Sequence, residues 1–169
     1  KVIASRGGKG CAISTAIRIV SNTEYIIFTD ADYTYPASKI PEMIKILDEN
    51  PRVGAVLGDR FSQNKPNHRF TDIYSMGNLL IKQLYRIRRI PLNDPLTGLR
   101  VVRWKAIKNW SPRSTGFEIE TEMNVYLANK GWLIKEVPIR YRRRYGRKKL
   151  KIYHALPIIK TLLTYSERL

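Results

Sequence analysis

An apolar run ends at two carboxylates in the stretch Tyr25-Ile26-Ile27-Phe28-Thr29-Asp30-Ala31-Asp32. Its aromatic and β-branched side chains are typical of a strand that is buried in a sheet. In open α/β sheets, ligands bind beyond the carboxyl ends of the strands. We therefore expect Asp30 and Asp32 to lie at the ligand-binding edge of a sheet.

The segments on either side of this stretch predict alternating helices and strands. Apolar residues recur at helical spacing from Cys11 to Val20 and again from Pro36 to Leu47, and Val53 to Leu57 follows as a second strand. This order of elements indicates a parallel α/β sheet. Further helices are predicted at 73–87, 117–130 and 153–169, and further strands at 2–5, 98–104 and 133–141, the last at a sheet edge because it contains Pro138.

The two aspartates predict a metal site. Carboxylates separated by one residue repel each other unless a cation neutralises them. Ligand sets made only of oxygen suit Mg²⁺ or Mn²⁺, which then bridge to diphosphate oxygens. The alternative is an Asp-rich surface turn. A second turn, Gly7-Gly8-Lys9-Gly10, precedes a helix; it either presents N–H groups and Lys9 to a phosphate or is a tight connection.

The charge of the chain favours anionic partners. Its 169 residues include 31 Lys and Arg against 14 Asp and Glu, a net charge of +17. The segment from Arg140 to Lys151 is the most basic part and contains no acid. Nucleic acid, an anionic membrane and phosphorylated substrates are all compatible with this surplus. A nucleic-acid-binding module, however, has no need for Asp30, Asp32 and Asp94, so nucleic acid is not expected as a partner.

A set of motifs in one order extends over nearly the whole chain. They are Gly8-Lys9-Gly10, Phe28-Thr29-Asp30-Ala31-Asp32, Tyr35-Pro36, Gly58-Asp59-Arg60-Phe61, Asn93-Asp94-Pro95-Leu96-Thr97-Gly98-Leu99-Arg100, Gly116-Phe117-Glu118-Ile119-Glu120, Glu136-Val137-Pro138-Ile139 and residues 143–149. The chain resembles the family 2 glycosyltransferases of the dolichol-phosphate mannose synthase and polyprenyl-phosphate glucosyltransferase type. The resemblance implies the GT-A fold, a doubly wound α/β domain with a mostly parallel sheet flanked by helices, and inversion at the anomeric carbon.

The resemblance also implies roles for individual residues. Asp30 and Asp32 match metal ligands, and Asp32 and Asp94 match catalytic positions. The matching substrate-binding residues are Lys9, Ala31, Arg60, Arg143 and Lys149. Two departures stand out: Thr34 occupies a position where dolichol-phosphate mannose synthases usually carry glutamine, and Arg147-Lys148 makes the loop at 140–149 more basic than is usual. Acids at 118–122 are expected to complement a helix dipole.

These implications lead to an expected function. The protein is expected to transfer a hexose from a nucleotide-diphosphate sugar, such as UDP-glucose or GDP-mannose, to a polyprenyl or dolichyl phosphate with Mg²⁺ or Mn²⁺. We expect a glycosyltransferase domain at 1–149 that lacks its N-terminal elements, and an amphipathic helix at 150–169 that either lies at a membrane surface or closes the core. Membrane association at the cytoplasmic face follows. A soluble saccharide acceptor, or a non-catalytic relative, remains the alternative.

Overall fold

The computed structural model describes residues 4–5, 7–62, 73–142 and 152–166. The helices are α1 (Lys9–Ile19), α2 (Ile40–Glu49), α3 (Ile73–Ile87), α4 (Trp104–Ile107), α5 (Ile119–Asn129) and α6 (Ala155–Thr164), with 3₁₀ turns at Ala37–Lys39 and Ile152–His154. The strands are β1 (Tyr25–Phe28), β2 (Val53–Asp59), β3 (Arg100–Arg103) and β4 (Leu133–Pro138). The predicted strand at 2–5 falls largely outside the described residues.

The four described strands form one sheet in the order β1-β3-β2-β4. β3 runs antiparallel to both of its neighbours, whereas β2 and β4 are parallel. β1, β2 and β4 therefore point in the same direction, and their carboxyl ends meet at one edge of the sheet. The α/β fold predicted from the sequence is confirmed, with β3 inserted in the opposite direction between β1 and β2.

Helices cover both faces of the sheet, because β2 and β3 are apolar on both sides. Every residue of β2 is buried. On one face, Val56 and Val101 pack with Met43 and Leu47 of α2. On the other, Ala55, Leu57 and Val102 belong to a larger cluster with apolar residues of α1, α3, α5 and α6, among them Ile17, Tyr85, Met123 and Leu162. This two-sided packing fixes the sheet edge that carries the candidate site.

Of the two outer strands of the described sheet, β4 agrees with its prediction and β1 agrees only in part. β4 pairs only with β2 among the described strands, so its edge position agrees with the prediction from Pro138. The prediction that β1 is buried was wrong in part, since Ile27 is 43% exposed. Within the described residues, β1 has a strand neighbour on one side only. Its apolar residues are therefore only partly covered.

Helix α6 was expected either to close the core or to lie at a membrane surface, and its pattern of burial bears on the first of these. Ile158 and Leu162 are buried in the core, while Leu156 is 73% exposed and Leu163 is 53% exposed. The helix therefore closes the core with one side and presents leucines on another. Among the described residues, the helices are too short or too polar to cross a membrane. The predicted division between domains at 149 and 150 lies outside the described residues.

Candidate active site

Lys9, at the start of α1, lies between two carboxylates from distant parts of the chain. Its Nζ is 2.9 Å from Oδ1 of Asp30, just after β1, and 2.6 Å from Oε1 of Glu120 in the first turn of α5. Burial disfavours the ammonium ion, but the two carboxylates outweigh that effect and raise the pKa of Lys9. Lys9 therefore remains a cation next to the predicted metal ligand Asp30.

A local turn orients the second aspartate. Oδ1 of Asp32 accepts hydrogen bonds from the backbone N–H of Thr34 at 3.3 Å and from its hydroxyl at 2.5 Å. Asp and Asn side chains often bond to the backbone two residues further on, and this contact stabilises the turn. Ala31, between the two aspartates, is exposed. The turn thus presents Asp30, Ala31 and Asp32 at the carboxyl end of β1, where the sequence predicted them.

The carboxylates of Asp30 and Asp32 fit the requirements of Mg²⁺ or Mn²⁺. Magnesium usually binds one or two carboxylates together with substrate phosphates and water. Among the described residues, no group of three or more His, Cys, Asp or Glu side chains is placed to hold a metal ion. At a metal site of this kind, Asp30 and Asp32 would be the protein ligands, and diphosphate oxygens and water would complete the coordination.

A glycine brings Asp30 against a neighbouring loop. A Cβ atom at Gly98 would lie 2.6 Å from Oδ2 of Asp30. Because such a contact is shorter than van der Waals packing permits, only glycine lets the carboxylate come this close. The N–H of Gly98 donates a 2.7 Å hydrogen bond to the hydroxyl of Tyr35. The segment that ends at Gly98 therefore forms one wall beside the aspartates.

The same segment begins at Asp94, which forms an ion pair with Arg60 just after β2. Nε and Nη2 of Arg60 each lie 2.6 Å from an oxygen of Asp94, and the backbone N–H of Arg60 donates to Oδ2 at 3.0 Å. Asp94 is fully buried. Burial disfavours the guanidinium, but Asp94 outweighs it and raises the pKa of Arg60. The predicted residues Asp94 and Arg60 thus form a bidentate pair.

Two aromatic side chains connect this pair to the start of the basic loop. The Arg60 guanidinium lies 5.5 Å from the ring centre of Tyr141, and that ring meets Tyr35 edge-on at 5.2 Å. The N–H of Arg142 donates to the carbonyl of Thr34 at 3.0 Å. Residues 141 and 142 are therefore attached to the aspartate turn and to Arg60. The predicted substrate-binding residues Arg143 and Lys149 lie outside the described residues.

Of the two interpretations of the Gly8-Lys9-Gly10 turn, the structure agrees with a tight connection. The N–H of Gly10 donates to the carbonyl of Thr115 at 2.9 Å. A Cβ atom at Gly10 would lie 2.1 Å from the carbonyl oxygen of Ser114. The glycine therefore allows the 113–116 segment to pack against α1, and its N–H is already used. Of this turn, only the side chain of Lys9 extends to the acidic residues.

Glu120 and Glu136 were not among the predicted site residues. The acids at 118–122 were expected to complement a helix dipole, and Glu120 and Glu122 do lie in the first turn of α5. In addition, Glu120 is 6% exposed and accepts a hydrogen bond from Lys9. Glu118 and Glu122 accept N–H groups from the 113–116 segment. Glu136 accepts the N–H groups of Asn93 and Asp94. Both residues lie within family motifs, but neither motif indicated which residue each glutamate would bind.

The architecture is that of the GT-A glycosyltransferases. Glucosyl-3-phosphoglycerate synthase from Mycobacterium tuberculosis, solved with Mn²⁺, UDP-glucose and phosphoglyceric acid, matches with a TM-score of 0.70 and 19% identity. The match covers 96% of this chain and 56% of the synthase. The same synthase has also been solved with Mg²⁺ and UDP. The predicted fold is therefore confirmed.

The family follows from the sequence. The pattern of glycosyl transferase family 2 matches residues 1–110. The chain belongs to glycosyl transferase family 2, which confirms the resemblance seen in its motifs.

Two curated relatives from Haloferax volcanii match most of the chain. Glycosyltransferase AglJ is 32% identical over 141 residues, which make up 83% of this chain and 46% of AglJ. Dolichyl-phosphate hexose transferase is 29% identical over 146 residues, which make up 85% of this chain and 60% of the relative. The chain thus spans about half the length of these relatives.

Proposed function

We propose that this protein transfers a hexose from a nucleotide-diphosphate sugar, of the UDP-glucose or GDP-mannose type, to a polyprenyl or dolichyl phosphate. One observation carries the proposal: a single segment, 94–98, joins the two charged pairs. Gly98, at its end, touches the Asp30 carboxylate that pairs with Lys9, and Asp94, at its start, holds Arg60. A group for a metal-bound diphosphate, Asp30, and a cation for a second phosphate, Arg60, therefore contact opposite ends of one short loop.

The reaction needs charge neutralisation more than it needs a base. A phosphomonoester has a second pKa of about 6, so it is largely dianionic at neutral pH. Its oxygen forms the bond to C1 of the sugar while the bond from C1 to the diphosphate breaks, and the nucleoside diphosphate leaves with the electron pair. The configuration at C1 is inverted. Arg60 and the basic loop at 140–149 would bring the two anions together.

The charged residues predicted from the sequence have distinct roles in this proposal. Bound Mg²⁺ or Mn²⁺ at Asp30 and Asp32 would supply charge stabilisation for the departing diphosphate. Lys9 adds a positive charge at the same end. Asp94 accepts three hydrogen bonds from Arg60, so it orients the guanidinium rather than removing a proton. Arg143 and Lys149 are proposed to bind the acceptor phosphate.

A membrane surface is part of the proposal because the acceptor is a lipid. The relative named dolichyl-phosphate hexose transferase supports a lipid acceptor. The exposed Leu156 and Leu163 of α6 offer apolar contacts with the lipid interface. The anionic cytoplasmic leaflet attracts basic segments by about 1 kcal/mol per Lys or Arg. We therefore propose that the protein is associated with the cytoplasmic face of a membrane.

Sugar transfer to lipid phosphate tests the function. Membranes with the expressed complete reading frame would receive labelled UDP-glucose or GDP-mannose, polyprenyl phosphate, and Mn²⁺ or Mg²⁺. The wild type should form a labelled lipid that Asp32→Ala does not form. Asp48→Ala removes an exposed carboxylate on α2 and should retain activity. Labelled product with a soluble phosphate acceptor alone would contradict the lipid assignment, and an active Asp32→Ala would remove this residue from the site.

A further inference from the structure

Side chains hold the backbone of the 93–98 segment from several directions. Oε2 and Oε1 of Glu136, on β4, accept the N–H groups of Asn93 and Asp94 at 2.7 Å each. Nη2 and Nε of the buried Arg100 donate to the carbonyls of Pro95 at 2.8 Å and Thr97 at 3.0 Å. Four backbone polar groups of this loop are therefore bound by two charged side chains. The loop does not rely on regular secondary structure for its conformation.

Glu136 binds the backbone of Asp94, and the carboxylate of Asp94 in turn pairs with Arg60. Two consecutive N–H groups point at one carboxylate, and each of its oxygens accepts one of them. Such charge-assisted hydrogen bonds are shorter and stronger than neutral ones. Only a side chain with two acceptor oxygens can satisfy both donors, since glutamine would present an N–H₂ group to one of them. The position of the Asp94 backbone thus depends on the charge state and length of the side chain at 136.

The surroundings of Glu136 act on its ionised form in opposite directions. Burial raises the pKa of Glu136; the hydrogen bonds from Asn93 and Asp94 oppose that change, and the charges of Asp59 and Asp94 add to it. The ionised form is therefore disfavoured in the folded protein relative to the unfolded chain. The reason to assign a role to Glu136 is geometric: its carboxylate holds the backbone of Asp94, whose own carboxylate pairs with Arg60.

We propose that Glu136 is a positioning residue: by fixing the backbone at Asn93 and Asp94, it sets the orientation of Arg60 toward the acceptor phosphate. The inference rests on the function proposed above, and it adds a determinant on β4 that does not itself touch the substrate. Donor binding should be largely independent of Glu136, because Lys9, Asp30 and Asp32 approach from α1 and β1. The step that should suffer is transfer to the phosphate.

The test compares Glu136→Gln with a chemically matched variant. Glu122 likewise accepts two backbone N–H groups, from Arg113 at 2.9 Å and Ser114 at 2.7 Å, but it holds a different loop. Glu122→Gln therefore removes the same kind of bond away from Asp94. Glu136→Asp keeps the charge but shortens the side chain, and serves as a second variant if the first fails to fold. All forms would be prepared as the full-length protein in detergent.

Three measurements are made on each form. Hydrogen exchange at Asn93 and Asp94 reports the two bonds, steady-state kinetics separate kcat from the donor KM, and titration with inorganic phosphate reports the anion site. In Glu136→Gln, we expect faster exchange at both amides and a kcat lower by roughly 10- to 100-fold, as misplaced reacting groups usually cause. The donor KM should stay at the wild-type value. Glu122→Gln should retain the wild-type exchange at Asn93 and Asp94.

The outcomes separate this inference from the proposed function. Faster exchange with an unchanged kcat would overturn the positioning role, as would an equal loss of kcat in Glu122→Gln. A wild type that makes no glycolipid would contradict the proposed function instead. In that case the phosphate titration decides: weaker binding by Glu136→Gln than by the wild type supports the positioning of Arg60, and equal binding rejects it.

Discussion

The charged side chains of the candidate site have polar partners: opposite charges, backbone N–H groups or, for Arg100, backbone carbonyls. The Lys9 ammonium lies between Asp30 and Glu120, and the Asp94 carboxylate faces the Arg60 guanidinium. A buried carboxylate without such a partner would lower the folding stability by roughly several kcal/mol. This pairing indicates what the residues do: Asp94 holds a cation in place, while Lys9 keeps a positive charge beside the proposed metal ligands.

The raised pKa of Glu136 predicts how stability depends on pH. The folded protein binds more protons than the unfolded chain above the ordinary value of 4.5, so the free energy of unfolding falls as pH rises through the folded pKa. Glu136→Gln cannot titrate at this position. Urea unfolding from about pH 4 to about pH 8 should show the wild type losing stability relative to the variant. A relative gain by the wild type over this range would contradict the raised pKa.

At the element scale, two helices contain a glycine for different physical reasons. Gly10 in α1 faces the backbone of the 113–116 segment, where a Cβ atom would lie 2.1 Å from the Ser114 carbonyl oxygen. Gly77 in α3 has open space around the position of a Cβ atom. The first glycine is required by packing between α1 and the loop before α5. The second leaves α3 with the entropic cost of a glycine inside a helix.

The same substitution should therefore have opposite effects in the two helices. Gly10→Ala should destabilise the protein by about 1–3 kcal/mol, because the 113–116 segment must move. Gly77→Ala should stabilise it by roughly 0.5–1 kcal/mol, since alanine loses less backbone freedom in a helix. Urea or thermal unfolding of both variants measures this difference. Equal effects of the same sign would show that the close approach of Ser114 does not limit residue 10.

For the molecule as a whole, the net charge and the surface of α6 both bear on the proposed membrane association. The chain has a charge of +17, and its terminal described helix exposes Leu156 and Leu163 while burying Ile158 and Leu162. Because α6 contributes to the core, deleting it would disturb the fold as well as any lipid contact. Single exposed residues are the better probe, since substitution there leaves the core unchanged.

Vesicle binding tests the proposed contact between α6 and lipid. The double variant Leu156→Ser and Leu163→Ser should co-sediment less with vesicles of anionic and neutral phospholipid, while its unfolding transition should match that of the wild type. Leu133→Ser changes a leucine on β4 that is also half exposed, and should bind as the wild type does. Added salt should weaken binding of all forms, because it screens the basic residues. Equal sedimentation of the double variant would exclude α6 as a lipid contact.

Local sequence patterns were enough to predict the elements from residue 9 to residue 59 and the position of the aspartates. Apolar periodicity is a local property, so the helices and strands at residues 9–59 could be predicted from a few neighbouring side chains. The position of Asp30 and Asp32 followed from the strand before them, and the order of motifs indicated glycosyl transferase family 2. The roles of Arg143 and Lys149 stay predictions from that resemblance.

Which charged residues pair with each other could not be predicted from local patterns, because the pairs form between distant parts of the chain. Lys9 and Glu120 are 111 residues apart in the chain, and Asp94 and Glu136 are 42 apart. A periodic pattern cannot express such pairs, because they depend on which strands become neighbours. The insertion of β3 between β1 and β2 is likewise non-local, since it depends on pairing between strands that are far apart in the chain. That arrangement brings the 93–98 segment between the aspartate turn and Arg60, and so it creates the site.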